Sequence, residues 1–470
     1  MSFQKILTQP ESKTLEFKRD LSSPSPILKT LVAFANTAGG KLVIGISDDK
    51  QIIGVENPLD EEERLSSLIA DSITPRLVPN IELFTVEDKT LLIVELFLSN
   101  SRPHYLNKKG VENGVYVRLG SSNRQADQPL IDELRRSVEG VAFDTMPMPE
   151  LSADDLALDR AQQLFGDVRT LDEKSLITLK LLTHHQGKLV PSKGAVLLFG
   201  KQRTFYFSDA WIQCGRFFGT EKIDIFDHID IDLPLPQAVD EVMLFLKKHA
   251  FRGADLSEVR RKDVWSIPLG ILREVIINAI VHSDYSQRGA PIRVVFLDDR
   301  IEVESMGILL PGLTIEEMKQ GTSRIRNHVI ARVFREINLI EQWGTGVRRI
   351  FNEAKELGLP EPKIEEVGMR VRFTVYLAAK HGVQVGVQSG VQSGVQSGVQ
   401  SKMEIQVLNL LANSAMSKKE IAIALGKEKR TRYLSDLMKK LIDQQQVEYT
   451  IPEKPNSRLQ KYRLVNMRST

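Results

Sequence analysis

A repeat divides this chain before any other argument is needed. Gly382 to Ser401 reads GVQVGVQSGVQSGVQSGVQS, five tetrapeptides of which the last four are identical, without one charged or aromatic side chain. With about one valine in every four residues it has too little apolar surface to offset the entropy of ordering its backbone, so it predicts a linker. Val and Gln also favour strands and side-chain ladders, and copies of a short repeat from several chains can stack. On that second reading the segment drives assembly. On either reading no packed core runs through it, and the folded units lie to its two sides.

The rest of the 470 residues then divides into about three units at ~150 residues per domain. Ala142 to Asp155, with its stretch DTMPMPELSADD rich in Pro and Asp and lacking periodicity, marks a second seam. The expected divisions are 1–141, 156–380, the repeat at 381–401, and 402–470. The net charge of +2 is an average of unlike parts. From Lys402 to Thr470 there are 14 Lys and Arg against 7 Asp and Glu, so the last unit is basic and the remainder slightly acidic. Such asymmetry points to nucleic-acid contact at the C-terminal end. The single cysteine, Cys214, excludes an intrachain disulfide and any zinc site built on several cysteines. Met1 to Pro10 lacks the apolar stretch of a secretory leader, and no apolar run approaches the ~18 residues of a membrane span. A cytoplasmic protein without a membrane partner is expected.

In the first unit Thr14 to Lys18 alternates, with Leu15 and Phe17 on one side and Glu16 and Lys18 on the other, the pattern of a half-buried strand. Pro24 to Thr37 has helical apolar spacing and is stopped by Gly39-Gly40. Leu42 to Ile46 reads as a strand ending in a Ser47-Asp48-Asp49 turn, and Ile81 to Thr85 with Leu91 to Phe97 as a hairpin. Mixed elements of this kind predict an α+β domain. Glu11, Glu16 and Asp48, with Lys18, would meet at one sheet edge if the two strands are neighbours. Carboxylates with water suit Mg²⁺ or Mn²⁺, a bound ion can activate water beside a phosphate, and a lysine can hold that phosphate. Asp49 competes for the role of Asp48, and a solvated, paired surface is the plainer alternative. Arg102, His104, Lys108, Lys109, Arg118 and Arg124 would track a nucleic-acid backbone or serve as ordinary surface.

The segments ESKTLEFK and FANTAGGKLVIGISDD, with the later GVYVRLGSSNRQAD, resemble the Schlafen AlbA_2 domain over roughly Ile6 to Glu139. The resemblance implies a nucleic-acid platform. In the Schlafen ribonucleases it implies three acidic metal ligands, at the positions of Glu11, Glu16 and Asp48 here, and tRNA or other RNA as substrate.

In the middle unit Leu269 to His282, LGILREVIINAIVH, is helical in its apolar spacing, and Glu274 and Asn278, four apart, share a face. A carboxylate there suits a general base, and an amide oxygen suits a metal beside a triphosphate. IEVESMG (Ile301 to Gly307) runs as a strand into a glycine turn. GTSRIRNHVIARVFR (Gly321 to Arg335) offers Arg324, Arg326 and Asn327 to phosphates. EQWGTGVRR (Glu341 to Arg349) places Gly344, Thr345 and Gly346 at a helix start, where backbone N–H groups bind anions. These blocks, with the upstream PSKGAVLLFGK, resemble a divergent GHKL-type ATP-binding module over roughly Leu176 to Leu377, an α/β sandwich. The resemblance implies ATP with Mg²⁺, Glu274 as the base that activates water, Asn278 as the Mg²⁺ ligand, and pairing of copies into a dimer or larger homo-oligomer. The adenine-reading Asp-x-Gly-x-Gly loop is altered: its Asp is absent, and Glu304 or Ser305 stands in the area. No GxxxxGK[ST] occurs, so the chain lacks the phosphate loop of a helicase motor.

The last unit predicts helices at Met403 to Ala412, Ser417 to Leu425 and Glu428 to Leu441, then a hairpin of Gln446 to Tyr449 with Lys461 to Val465. Ser417 and Glu420 form a capping box. This order resembles a winged helix-turn-helix. Lys427, Lys429, Arg430, Arg432, Lys439 and Lys440 lie on its third helix, with Arg458 and Lys461 on the wing, and would contact DNA or RNA. A winged helix used for protein contact is the alternative. Taken together the sequence leads to an ATP-responsive, nucleic-acid-binding regulator, in transcription or phage defence. An ATP-gated, metal-dependent endoribonuclease and a repeat-driven assembly protein are the alternatives.

Overall fold

The computed structural model describes residues 3–166, 168–250, 252–255, 262–340 and 346–377. In the last unit it describes 407–408, 410–411, 414–424, 432–443, 446–453, 457 and 460–465. The GVQS repeat, and with it the choice between linker and stacking, lies outside the described residues.

Two strands of the first unit, β1 (Leu15–Lys18) and β2 (Gly40–Ile44), run parallel, with Leu15 opposite Lys41 and Lys18 opposite Ile44. Consecutive parallel strands need a crossover. Helix α1 (Pro24–Thr37) supplies it and buries Ile27, Leu28, Leu31, Val32, Phe34 and Ala35 as the spacing predicts. A proline at its first position loses no hydrogen bond, because that N–H has no partner inside the helix. Gly39 follows the helix with φ +74°, and a Cβ there would lie 2.6 Å from the carbonyl oxygen of Leu96, so the stop requires glycine on two counts. Strands β3 (Asn80–Val86) and β4 (Lys89–Leu96) form the expected hairpin around Glu87 and Asp88, both with positive φ, as the right-handed twist of a two-residue turn demands. The sheet order is β1-β2-β4-β3. A second hairpin, Tyr116–Leu119 with Ser122–Gln125, packs on α1. Helix α2 (Gln128–Glu139) closes the unit and is capped by Asp127, whose Oδ1 accepts from the Leu130 N–H at 3.1 Å.

The middle unit is built on six strands: β5 (Ile212–Phe217), β6 (Ile225–Ile231), β7 (Ile292–Phe296), β8 (Arg300–Met306), β9 (Lys363–Val367) and β10 (Arg370–Tyr376), in spatial order β6-β5-β7-β8-β10-β9. Only the β5–β7 pair is parallel. Helices α3 (Leu235–His249) and α4 (Leu269–His282) pack on this sheet over the largest core of the molecule, which also holds Cys214. Helix α4 buries Ile271, Leu272, Val275, Ile276, Ile277, Ala279, Ile280 and Val281, leaving a narrow polar face for Glu274 and Asn278. Two further helices, α5 (His328–Glu336) and α6 (Gly346–Glu356), complete it.

The expected seam at Ala142 to Asp155 is a packed joint. Asp144 is fully buried and accepts from the N–H groups of His328, Val329 and Ile330 at 2.9, 2.6 and 3.0 Å, so it caps α5 from a point 184 residues earlier in the chain. Three more contacts tie the first unit to the middle one. Lys13 pairs with Glu366 of β9 at 2.8 Å, Glu133 of α2 pairs with Arg326 at 2.6 Å, and the Gly312 N–H donates to Thr37 at 2.6 Å. Ile308 enters the same apolar cluster as Val115, Val117, Leu130 and Leu134.

In the last unit the described elements are α7 (Lys418–Ala424), α8 (Arg432–Asp443) and the strands β11 (Val447–Tyr449) and β12 (Tyr462–Leu464), paired antiparallel. Val407, Leu408, Leu410 and Leu411 are helical and add to their core. The predicted capping box is present: Glu420 N–H donates to Ser417 Oγ at 3.3 Å, and Ser417 N–H to Glu420 Oε2 at 2.7 Å.

Candidate nucleotide site and nucleic-acid surfaces

A cavity of about 450 Å³ opens beside the polar face of α4. Glu274, Asn278 and His282 reach it from that helix, Ser305 from β8, Ser323 to Arg326 from the segment before α5, and Gly346 with Arg349 from α6. Its volume is within the ~300–1,000 Å³ usual for small-molecule sites. The Glu274 carboxylate is held from three sides. Asn278 Nδ2 donates to Oε1 at 3.0 Å and to the Glu274 carbonyl at 2.8 Å, and Arg349 Nη2 donates to Oε2 at 2.9 Å. On the third side a Cβ at Gly346 would stand 1.9 Å from Oε1. No side chain other than hydrogen fits there, so the glycine in the GTG segment serves close approach between the start of α6 and the carboxylate of α4. A helix N-terminus favours a negative group, and here Glu274 takes that place.

Both hydrogen bonds of Asn278 use its amide nitrogen, which leaves the amide oxygen for a metal. The donor set therefore fits a nucleotide with its cation: one carboxylate, one amide oxygen, Arg324 at the mouth, and an apolar wall from Leu309, Leu310, Met318 and Ile340. His282, enclosed and near Arg326, has its pKa pushed down to about 4 by burial first and by that guanidinium second, so it is neutral at physiological pH. Of the two candidates on β8, Ser305 lines the cavity. Glu304 pairs with Lys222 at 3.0 Å and with Arg372 at 2.8 Å.

Other predicted phosphate ligands have structural duties. Arg326 is buried between Glu133 and Asp284 and donates to the Ile308 carbonyl. Asn327 is fully buried, and its Nδ2 holds the Val281 and Ser283 carbonyls at 2.9 and 2.7 Å, tying down the end of α4. Gly307, with φ +98°, supplies room for Arg326: a Cβ there would lie 2.8 Å from Nη1. These three positions correct the expectation of free phosphate-binding groups. Arg324 remains exposed, anchored by one bond to the Pro311 carbonyl at 2.7 Å. Gly344 and Thr345 lie outside the described residues.

The N-terminal carboxylates are not assembled as expected. Glu16 is buried, its two oxygens taken by Arg118 and Lys18. Arg118 is itself 1% exposed, stacks over Phe34 at 5.4 Å, and donates to the Ser12 carbonyl at 3.1 Å and Asn123 Oδ1 at 3.0 Å. Glu11 accepts from the Phe17 N–H at 3.1 Å. Asp48 stands exposed in its turn. Among the described residues no three His, Cys, Asp or Glu side chains are placed to hold one metal ion. The physical reason is the buried arginine: an ammonium and a guanidinium already satisfy Glu16. Arg118 and the buried His104, which bridges the Pro75 carbonyl and Ser99 Oγ, are likewise not free to track a nucleic-acid backbone. Arg124 is exposed, and Lys109 donates to Tyr116 Oη at 2.8 Å.

In the last unit Lys439 is exposed on α8, and Lys461 lies 3.5 Å from Glu420. Arg432 begins α8 in backbone; Lys427, Lys429, Arg430 and Arg458 lie outside the described residues, and nothing is described of the Lys440 side chain. The sequence reading missed the two joints that matter most, Asp144 to α5 and Glu133 to Arg326. Neither leaves a local signal, because each pairs residues far apart in the chain.

A mixed sheet covered by helices, with a carboxylate–amide pair facing a cavity and a glycine-started helix at its rim, is the frame of an ATPase-type nucleotide module. The family comparisons agree in class. Residues 289–376 match the family described as "Putative ATP-dependent DNA helicase recG C-terminal", residues 11–127 match "Schlafen, AlbA_2", and residues 404–465 match "Filamentation induced by cAMP protein Fic-like, C-terminal domain". The chain thus carries a Schlafen AlbA_2 segment and an ATPase-type segment of the recG C-terminal kind. Glu274 and Asn278 lie upstream of the matched interval and rest on geometry. The third match is to a different family from the expected winged helix. No curated protein matches the chain. Among solved structures, the DIP2311 protein from Corynebacterium diphtheriae is 20% identical, covering 93% of this chain and 91% of its own, with a TM-score of 0.43. The N-terminal domain of a RecG-related protein from Nitrosomonas europaea is 29% identical, covering 27% of this chain and 94% of its own, with a TM-score of 0.22. Among the described residues no helix is long and apolar enough to cross a membrane.

Proposed function

We propose that this chain is a nucleotide-responsive, nucleic-acid-binding regulator in which the middle module binds ATP with Mg²⁺ and the first and last units bind DNA or RNA. One observation carries the reading. The segment that lines the nucleotide cavity, from Ile308 to Arg326, is the segment that docks on the first unit, through Ile308, Gly312 and the Arg326–Glu133 pair. A ligand that shifts Arg324 and its neighbours therefore acts on a surface the first unit shares, and biases whichever arrangement it binds better. In the cavity Asn278 would hold the cation, Arg324 the phosphates and Glu274 would orient water, once Arg349 moves off its carboxylate.

The matched family descriptions support ATP and nucleic acid as the two ligand classes. The helix, helix and hairpin of the last unit, with its excess of 14 basic over 7 acidic residues, support a winged helix that contacts nucleic acid. We also propose a homo-oligomer, as GHKL-like modules pair. No observation favours the endoribonuclease, since Glu16 is committed to Arg118.

The test is a gel shift of DNA and RNA fragments by the full chain, with and without ATP and Mg²⁺. It is repeated with Asn278→Ala and with a chain lacking 402–470. ATP should change the nucleic-acid affinity of the wild type and not of Asn278→Ala. Binding insensitive both to ATP and to removal of 402–470 overturns the reading.

A further inference from the structure

A second cavity, of about 370 Å³, lies on the far side of the turn that follows α4. Its position is set by the joint between the units: Phe143 comes from the Asp144 segment, Lys193 from the helix Lys193–Phe199, Tyr206 and Phe207 from Arg203–Tyr206 and its end, and Asp284 to Arg288 from the turn. Three features mark it as a built site.

The first is an orphaned donor. Gln287 is 6% exposed, lines the cavity, and its Nε2 has no hydrogen-bond partner. A buried amide left unpaired forfeits the hydrogen bond it made to water, so a ligand that accepts from it is favoured. Beside it Asp284, 2% exposed, spends Oδ1 on the N–H and hydroxyl of Ser286 at 3.0 and 2.5 Å. Its Oδ2 has only the Arg326 charge, at 3.5 Å. Asp284 is thus committed to Ser286 and Arg326, and the unpartnered polar group of the lining is the Gln287 amide.

The second is an ammonium without a carboxylate partner among the described residues. Lys193 Nζ lies 4.2 Å above the Phe143 ring and 3.8 Å from the Met146 sulfur. Burial pulls its pKa down. Arg288 stands exposed at the rim, where no ion pair is formed among the described residues. The third is the aromatic lining. Phe143 and Phe207 meet edge to face at 6.2 Å, and Tyr206 and Tyr285 flank the same space.

We propose that this cavity is a second ligand site for a planar heteroaromatic ring that carries a phosphate, a nucleoside monophosphate being the simplest form. The aromatic rings pack against the base. Gln287 Nε2 donates to an acceptor on the base edge, as side-chain amides do on nucleobases. Lys193 and Arg288 hold the phosphate at the mouth. The carboxylates of Glu150 and Asp209 at the same wall disfavour a triphosphate, which separates this site from the cavity beside α4. The site does not depend on the proposed function: it stands even if ATP never occupies the other cavity.

The experiment is calorimetric titration of AMP, GMP, CMP and UMP into the full chain and three variants. At least one nucleotide should bind to the wild type with one site per chain. Lys193→Met and Gln287→Leu should each weaken that binding tenfold or more, while Asn278→Ala, in the other cavity, leaves it unchanged. Melting temperatures within a few degrees of the wild type confirm that the variants fold, and Lys193 is only half-buried, so its replacement leaves the core intact. Absence of binding by all four nucleotides overturns the proposal. So does a loss caused by Asn278→Ala and not by Lys193→Met, which would place the nucleotide beside α4.

Discussion

Two regions of this molecule present the same chemistry in the sequence and opposite situations in the structure. Glu16 and Glu274 are each a carboxylate on a regular element with a polar neighbour two or four residues on. Glu16 is closed off: Arg118 and Lys18 take both its oxygens, and Arg118 is 1% exposed. Glu274 faces a cavity of about 450 Å³, shares one oxygen with Asn278 and meets Arg349, whose side chain is 42% exposed. What separates the two carboxylates here is the exposure of the cation beside each and the cavity in front of Glu274. Neither property is written in the local sequence.

The largest test of that contrast is removal of the buried partner. Glu16→Ala leaves the Arg118 guanidinium buried and uncompensated, and breaking such a pair costs about 3–5 kcal/mol. Urea unfolding of the first unit should register that loss, whereas Glu274→Ala should change stability little and ATP binding greatly. A stable Glu16→Ala chain would break the comparison.

A comparable effect comes through pH. Burial raises the Glu133 carboxyl from 4.5 to about 7, against the pull of Arg326. A carboxyl with a raised folded pKa binds its proton more tightly in the native state, so its contribution is full below pH 4.5 and is lost as pH rises through 7. At 1.36 kcal/mol per pKa unit the change is up to about 3 kcal/mol. Stability measured from pH 4.5 to 8 should decline more steeply for the wild type than for Glu133→Gln. Parallel curves would mean that the joint between the units does not titrate.

Next comes Gly346→Ala. With only 1.9 Å between the added Cβ and Glu274 Oε1, either the carboxylate or the start of α6 must move. A loss of about 100-fold in ATP affinity is expected, roughly 2.7 kcal/mol at tenfold per 1.4. Unchanged affinity would show that ATP binding does not need the close approach of α6 to Glu274. Below it in size is Asp144→Ala, which leaves three N–H groups at the start of α5 without their acceptor and should lower stability by about 1–2 kcal/mol, read as a melting shift.

These sizes also explain what the sequence made legible. The β1-α1-β2 crossover, the hairpin of β3 and β4, the helix of Glu274 and Asn278 and the Ser417–Glu420 capping box were all readable, because periodicity, glycine stops and caps act over a few residues. The partners of Glu16, Asp144 and Lys13 were not. Arg118 lies 102 residues from Glu16, His328 184 from Asp144, and Glu366 353 from Lys13. The DTMPMPELSADD stretch reads as a seam because Pro and Asp break periodicity, yet its Asp is the cap that fixes α5. Arg326 and Asn327 have the composition of a phosphate-binding lid, and only tertiary packing shows that Glu133 and the Val281 carbonyl occupy them first.

The smallest effect decides the first unit's role. Asp48 is exposed in the turn between Ser47 and Lys50, where the turn bond runs from the Lys50 N–H to the Ser47 carbonyl and needs no help from its side chain. Asp48→Ala should therefore stay within ±0.5 kcal/mol of the wild type, as surface substitutions away from such features do. That near-silence is what makes it informative. Glu16→Ala confounds folding with chemistry, whereas Asp48→Ala removes one expected metal ligand from a chain that remains folded. If RNA incubated with Mn²⁺ is cut by the wild type and not by Asp48→Ala, the carboxylates must reassemble on the nucleic acid, and the contrast between Glu16 and Glu274 would describe only the unbound state. If neither cuts and both bind, the first unit is a platform whose buried Glu16–Arg118 pair is architecture.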